Sequence, residues 1–379
     1  MNAFIKKISK YYKRLDKPLL IAVSICAIFS VVLLYSLYAT KTGDVTAKTY
    51  ITQLISMILG IGICLIVASI DYHHLAKLWI IYVPVSLAAV ALTFTSLGLQ
   101  ATGADDRAWL DLGITTMQPS ELLKLSFILS FSYHLHKDQE NINHPLHLLF
   151  IIIHGIIPVG IVALQGDYGT AVVFLVMFVI MLFSAGLSLK YIIAAIAATP
   201  PAVYLVWNYG LQSLHKNRIL VLIEPGSDPM GLEYQQNLGL AAMGSGKLFG
   251  KGLFSKDFIE VPEMHNDFIF SHIGQSLGFV GAVLTIVFLA YICIKVLNDS
   301  RNTMDLLGKL ICMGTFAMLF THCFMNIGMV LKVMPVIGIP LPFLSSGGTA
   351  LLCMYVSIGF VLNCYAHNEK RYRMFYDYE

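Results

Sequence analysis

Residues 18–39 read PLLIAVSICAIFSVVLLYSLYA, a run without one charged side chain and long enough to cross a bilayer as a single helix. The same length separates it from the shorter apolar segment of a cleavable signal peptide. Working outward, similar runs recur at 50–70, 78–97, 120–135, 146–164, 168–184, 190–210, 267–297, 305–330 and 348–366, about ten in all. The pattern predicts an all-α polytopic membrane protein, with residues 1–379 forming a single integral-membrane domain. Pro84, Pro158 and the Pro200–Pro201 pair are expected to kink their helices, which a membrane bundle tolerates when neighbours satisfy the freed carbonyls. Composition agrees: the chain is 57% hydrophobic and 12% charged, against roughly 25% charged residues in soluble domains. That shortage of charge excludes both a soluble enzyme and a disordered chain. A net charge of +3 is too small to argue for a nucleic-acid partner. The seven cysteines fall inside apolar stretches without a CxxC pair, so they read as small core residues, neither disulfide framework nor metal site.

The few charges are unevenly placed. Lys6, Lys7, Lys10, Lys13, Arg14 and Lys17 crowd the amino terminus, and Lys370, Arg371 and Arg373 follow the last span. Lys77, Lys137, Lys190, Lys295, Arg301 and Lys309 fall in or near alternate loops of that same side, whereas the opposite short loops hold Lys41, Lys48, Arg107 and Lys332. The positive-inside rule places both termini in the cytoplasm, as an even number of spans requires. Residues 211–266 then form one long extracytoplasmic loop, whose aromatic and apolar residues predict an ordered segment resting on the membrane surface. A second outer loop, 98–119, and the Pro335–Gly348 segment share that face.

Ionisable groups inside spans cost several kcal/mol, so each marks a candidate site. Lys124 lies one turn into a span that begins Gln118-Pro119-Ser120-Glu121. Its plain reading is snorkelling to the interface; the sharper one is a pair with Asp167, which opens another span on the same side. Asp267 starts the eighth span, where a carboxylate commonly serves as a cap. Ser271 and Gln275 follow it at i+4 and i+8, with His272 beside them, and this stripe predicts a helix that lines a cavity with the carboxylate at its mouth. Gly244-Ser245-Gly246-Lys247-Leu248-Phe249-Gly250-Lys251-Gly252 resembles a phosphate loop but lacks the GxxxxGK[ST] spacing. It remains a flexible basic turn. His265 and His322 have no partner at metal-ligand spacing, and His322, one turn before Asn326, reads as a hydrogen-bonded core residue. Two function classes fit these residues: an enzyme acting on a lipid-linked anionic substrate, or a transporter or lipid flippase. Polar groups gathered on the outer face, at span starts, favour the enzyme.

The motifs carry a family resemblance. Trp109-Leu110-Asp111-Leu112-Gly113 leads to Gln118-Pro119-Ser120-Glu121-Leu122-Leu123-Lys124, and Gln165 to Thr170 follow. Next come Arg218, Asp228-Pro229, Gly244-Ser245-Gly246 and Pro262-Glu263-Met264-His265-Asn266-Asp267-Phe268-Ile269-Phe270. Asn326-Ile327-Gly328 and Gly338-Ile339-Pro340-Leu341-Pro342-Phe343-Leu344-Ser345-Ser346-Gly347-Gly348 close the series. In this order the chain resembles the SEDS family of FtsW, RodA and SpoVE over nearly its whole length, with short tails most like the elongation member. The resemblance implies a peptidoglycan glycosyltransferase of the bacterial cytoplasmic membrane that polymerises lipid II at the outer face. It further implies a class B penicillin-binding protein and other elongation-complex membrane proteins as partners. Asp267 matches the family's essential aspartate, implied here as the general base. Glu121, Lys124, Asp167, Arg218, Glu263, His265 and Ser345 are implied around the substrate, with Arg107, Lys247 and Lys251 as weaker cations. No cofactor is implied with certainty; a divalent cation such as Mg at the pyrophosphate is a candidate.

The chain departs from the family pattern at several positions. Gln275-Ser276 stands where the family has two acids, Asn266 where it has Thr, Gly166 where the QPDxGT motif has Pro, and Leu238 where it has Gln. Ala108 separates Arg107 from Trp109, so Arg107 carries over poorly. The carboxylate at 267 and the charges at 124 and 167 are retained.

Overall fold

The computed structural model describes residues 14–99, 107–111, 113, 116–228 and 230–367. Most of the amino-terminal basic cluster, Leu112, Pro229 and the basic tail after the last span lie outside the described residues. Each of the ten apolar runs folds as a helix. They are α1 (Lys17–Thr40), α2 (Ala47–Ser69), α4 (Trp79–Leu92), α5 (Pro119–Lys137), α6 (Pro145–Leu164), α7 (Tyr168–Ser184), α8 (Leu189–Leu205), α11 (Ile269–Asn302), α12 (Leu306–Val330) and α13 (Gly348–Ala366). A short α3 (Tyr72–Lys77) precedes α4, and α9 (Ser213–Ile223) and α10 (Tyr234–Ser245) lie between α8 and α11. Seven of these helices are long and apolar enough to cross a membrane, and α4 and α7 are shorter apolar helices.

Helix starts follow from local chemistry. Asp16, Asp167 and Asp305 cap α1, α7 and α12 by accepting backbone N–H bonds from Leu19, Thr170 and Gly308, each worth about 1 kcal/mol. Pro119 and Pro145 occupy the first helical position, where the missing N–H costs nothing. Pro84, Pro158 and Pro200–Pro201 sit inside continuous helices.

The bundle is built around α12, which packs against α5, α7, α11 and α13. Its buried residues run from Leu307 to Val330 and include His322 and Asn326. Helices α2 and α13 meet closely because Gly60 and Gly359 let the partner in: a Cβ on Gly60 would lie 2.4 Å from the Tyr355 ring. Six cysteines are buried, Cys323 is half-buried, and all seven are free. Lys295 at the far end of α11 pairs with Asp16 at the start of α1, and Tyr72 donates to Asp305, so these loops share one end of the bundle. The loops at 42–45 and 260–265 line one cleft at the other end, which carries Asp267.

Three features depart from the sequence expectation. The 98–119 loop holds a small antiparallel sheet, β1 (Gly98–Leu99), β2 (Trp109–Asp111) and β3 (Thr116–Met117), in the order β1-β2-β3. The 211–266 loop is ordered, as expected, but by helices: α10 packs on α11 through Gly239, which meets Phe268.

The third is a break in α11. Gly278 takes φ 70 and ψ −167, a region open essentially to glycine alone. The helix therefore consists of Ile269–Leu277 and a second length beyond Gly278. Backbone from the glycine-rich turn fills the break: Lys251 and Gly252 donate to the carbonyls of Gln275 and Ser276, and Phe279 and Val280 donate to those of Lys247 and Leu248. Groups a straight helix would have paired internally are thus paired with the inserted turn, as the bilayer requires. A Cβ on Gly250 would fall 2.2 Å from the Ser276 carbonyl, and one on Gly246 2.1 Å from that of Gly274. The glycines are there for close backbone packing, which corrects the reading of a flexible basic turn. Gly278→Ala is expected to cost about 1–3 kcal/mol from the backbone conformation alone, read as a lowered unfolding temperature in detergent.

Candidate active site

Asp267 sits two residues before the first half of α11, half-buried, and the capping position itself is Phe268, which makes no side-chain cap. Asp267 thus precedes the amino-terminal end of that half-helix, a position at which the helix dipole favours negative charge. A Cβ on Gly338 would be 3.6 Å from Asp267 Oδ2, so the acid lies against bare backbone of the Gly338–Gly348 segment. Asn326 fixes this arrangement from below: its amide donates to the Asp267 carbonyl and to the Ile339 carbonyl, each at 2.8 Å.

Ser345 staples the same segment to the loop before α11. Its hydroxyl donates to the Asn266 carbonyl at 2.7 Å and accepts from the Leu341 N–H at 2.8 Å, while the His265 carbonyl accepts from Ser346 N–H. Gln53, a lone amide in the apolar α2, holds the segment's far end. It donates to the Ser345 carbonyl and to Ser30 Oγ, both at 3.0 Å, and accepts from Gly347 N–H. Sequence reasoning missed Gln53, although an amide inside an apolar run was its signal; in the fold it is 1% exposed and bonded through both amide atoms.

Lys124 is fully buried, and its ammonium donates to Glu121 Oε1 at 2.8 Å and to His322 Nε2 at 2.9 Å. Asp167 instead caps α7 and accepts from Gln118 Nε2 at 2.7 Å. The expected Lys124–Asp167 pair is therefore corrected. Glu121 at i−3 reaches the ammonium within the same helix, whereas the Asp167 carboxylate is drawn to the orphan amides of its own helix start. The two charges remain linked, since Gln118 and Glu121 belong to the same end of α5.

Arg218 on α9 is half-buried and donates to the Val336 carbonyl at 3.3 Å. Glu263, exposed and with φ 55, accepts from Asn266 Nδ2 at 2.8 Å. With His265, Asp44, Glu260 and Tyr234 it lines an open cleft of about 390 Å³ beside the Asp267 loop. Burial pulls the His265 imidazole below its usual range, opposed by Glu263 and Asp44.

The polar stripe below Asp267 does not line a cavity. Ser271, His272, Gln275 and Ser276 are all buried, and Gln275 accepts from Ile259 N–H at 2.7 Å and from Ser245 Oγ at 3.1 Å. It also donates back to the Ile259 carbonyl. The neutral amide that replaces a family acid thus pairs one stretch of backbone in both directions, which a carboxylate could not do. Lys251 donates to the Asp257 carbonyl, and Arg107 is exposed with its N–H on the Gln165 carbonyl.

A second pair, a buried Glu233 and a half-buried Lys332, ties the start of α10 to the chain just after α12: Glu233 accepts from Lys332 Nζ and from the N–H groups of Gly226 and Asp228. The Lys332 hydrogen bond holds the Glu233 carboxyl below its usual range. A carboxylate with a depressed folded pKa stabilises above its unfolded value, about 4.3, and that contribution is lost as pH falls through the folded one. The unfolding-temperature difference between wild type and Lys332→Met is accordingly expected to be full at neutral pH and to shrink in acid.

Among the described residues no three His, Cys, Asp or Glu side chains form a metal-binding group.

The sequence profile of the FtsW/RodA/SpoVE family, described as a cell cycle protein, matches residues 16–370. The chain belongs to this family. Peptidoglycan glycosyltransferase MrdB of Escherichia coli strain K12 is 28% identical over 363 residues, covering 94% of each chain. Probable peptidoglycan glycosyltransferase FtsW of Trichlorobacter lovleyi is 30% identical over 357 residues, 92% of each. Among solved structures, a peptidoglycan synthase complex that coordinates polymerization and crosslinking contains a similar chain, with TM-score 0.79 and 24% identity, covering 95% of this chain and 99% of that one. The rod shape determining protein RodA of Thermus thermophilus matches at TM-score 0.68 and 23% identity, over 93% and 97% of the two chains. This SEDS protein therefore has the RodA fold and is a multi-pass membrane protein.

Proposed function

We propose that this SEDS protein is a peptidoglycan glycosyltransferase that polymerises lipid II at the outer face of the cytoplasmic membrane, with Asp267 as general base. The observation that carries the reading is the placement of Asp267: a half-buried carboxylate at the end of a half-helix, held through its own backbone by Asn326 and against the Gly338–Gly348 segment. A sugar hydroxyl is a poor nucleophile, and a fixed carboxylate takes its proton as the new bond forms. The 4-hydroxyl of the acceptor sugar attacks the anomeric carbon of the donor from the face opposite the undecaprenyl pyrophosphate, which leaves with inversion. Arg218 is the cation best placed to meet that leaving group, because it reaches the Val336 carbonyl beside the same segment. Lys124 and Glu121 support the site from beneath, and Asp167 orients the end of α5 through Gln118. Glu263 and His265 border the cleft where substrate enters, and Ser345 holds the backbone at Asn266 that follows them.

The E. coli relative's name supports the glycosyltransferase, and the synthase complex among the similar structures supports a class B penicillin-binding protein as partner. An elongation role and partner membrane proteins belong to the same reading. Purified protein, with and without that partner, is expected to convert lipid II into glycan strands. No polymer under any partner condition, together with lipid II movement across vesicles that survives Asp267→Asn, would overturn the reading in favour of a flippase.

A further inference from the structure

His322 departs from the apolar character of the α12 residues around it, and its two ring nitrogens have different partners. Nδ1 lies 3.1 Å from the Pro340 carbonyl. A carbonyl only accepts, so Nδ1 carries the hydrogen. Nε2 then presents its lone pair to Lys124 Nζ, 2.9 Å away, a group that only donates. The two partners together select one neutral tautomer of a ring that is 1% exposed. One turn further along α12, Asn326 bonds the neighbouring carbonyl of the same segment, Ile339, and the Asp267 backbone. Successive turns of α12 thus hold successive carbonyls of the Gly338–Gly348 segment. One is tied through Asn326 to Asp267 and the other through His322 to the Lys124–Glu121 pair.

We infer that His322 is a positioning residue: as the Nδ1–H tautomer it locks the Lys124–Glu121 ion pair to the Pro340 backbone and so fixes the wall against which Asp267 works. The inference rests on the reading of Asp267 as the base. A residue that merely fills space at this point would be replaceable by any side chain of similar volume. A positioning residue needs an acceptor facing Lys124.

The test compares His322→Leu with His322→Gln, whose amide oxygen can stand where Nε2 stands. In lipid II polymerisation His322→Leu is expected to lower turnover about 100-fold, the size of effect a misplacement of roughly 1 Å produces, with KM for lipid II little changed. His322→Gln is expected to restore most of the turnover. Equal activity in the two variants overturns the inference. Should His322→Leu not fold, His322→Asn takes its place: its amide N–H can donate to Pro340 while its oxygen stops short of the Nε2 position that faces Lys124, and it is expected to be as slow. Thermal unfolding in detergent supplies a readout independent of activity. In a cycle of His322→Leu and Lys124→Met, each substitution is expected to shift the midpoint less in the presence of the other than in the wild type. Additive shifts overturn the inference. If wild type makes no polymer, the glycosyltransferase reading fails, and the unfolding cycle still decides whether His322 acts through Lys124.

Discussion

Asp267→Asn is expected to give a folded, membrane-inserted protein that forms no measurable glycan from lipid II. Asparagine keeps the size of the side chain, and the bonds that Asn326 makes here go to the Asp267 backbone carbonyl, which the substitution leaves in place. What disappears is the group that takes the proton from the attacking hydroxyl, a loss of roughly 10²–10⁴-fold. Unfolding temperature in detergent and lipid II retention are expected to stay near wild type while polymerisation falls below detection. Full polymerisation by the variant in the presence of its partner would remove Asp267 from the chemistry.

Lys124→Met carries the largest expected effect on stability. The ammonium is fully buried and Glu121 is 2% exposed, with Glu121 Oε2 lacking a hydrogen-bond partner among the described residues. Removing the lysine strands a carboxylate in apolar surroundings, at about 3–5 kcal/mol. Combining it with Glu121→Gln is expected to recover part of that loss, because the remaining group is then neutral. Equal stability of Lys124→Met and wild type would show the pair to be solvated after all. Chemical denaturation in mild detergent, followed by tryptophan fluorescence, measures both.

The spans were legible because the bilayer imposes a length on apolar runs, and that length is visible without knowing any contact. The break in α11 was not. Residues 267–297 are continuously apolar enough to read as one helix, and a single glycine within such a run is ordinary in membrane proteins. Only the pairing of Gly278 with the turn at 246–252 distinguishes it, and that pairing is a tertiary fact. The site divides the same way. Asp267 and the charge at Lys124 stood out as expensive groups in an apolar run, which is a one-residue property. Which acid neutralises Lys124 is a two-residue property, and there the helical i, i+3 neighbour prevailed over the acid across the bundle. Gln275 shows the limit of reasoning by motif: its amide serves backbone it could be matched with only once the 250s loop had been placed.

Helix α8 has no buried residue anywhere along Leu189–Leu205, although it is apolar and long enough, with the π turn that follows, to span the membrane. Among the described residues Tyr191, which packs on the core and donates to the Asn143 carbonyl, ties it to the rest of the chain, so lipid is the solvent for most of its circumference. Its tilt answers to bilayer thickness and to its loops before it answers to any packing partner. Substitutions on its faces away from Tyr191 will be judged by how readily a residue dissolves in hydrocarbon, so its tolerance to mutation there is a solubility table of the membrane itself. Its behaviour is accordingly expected to depend on lipid composition more than that of a helix packed along its length, such as α12.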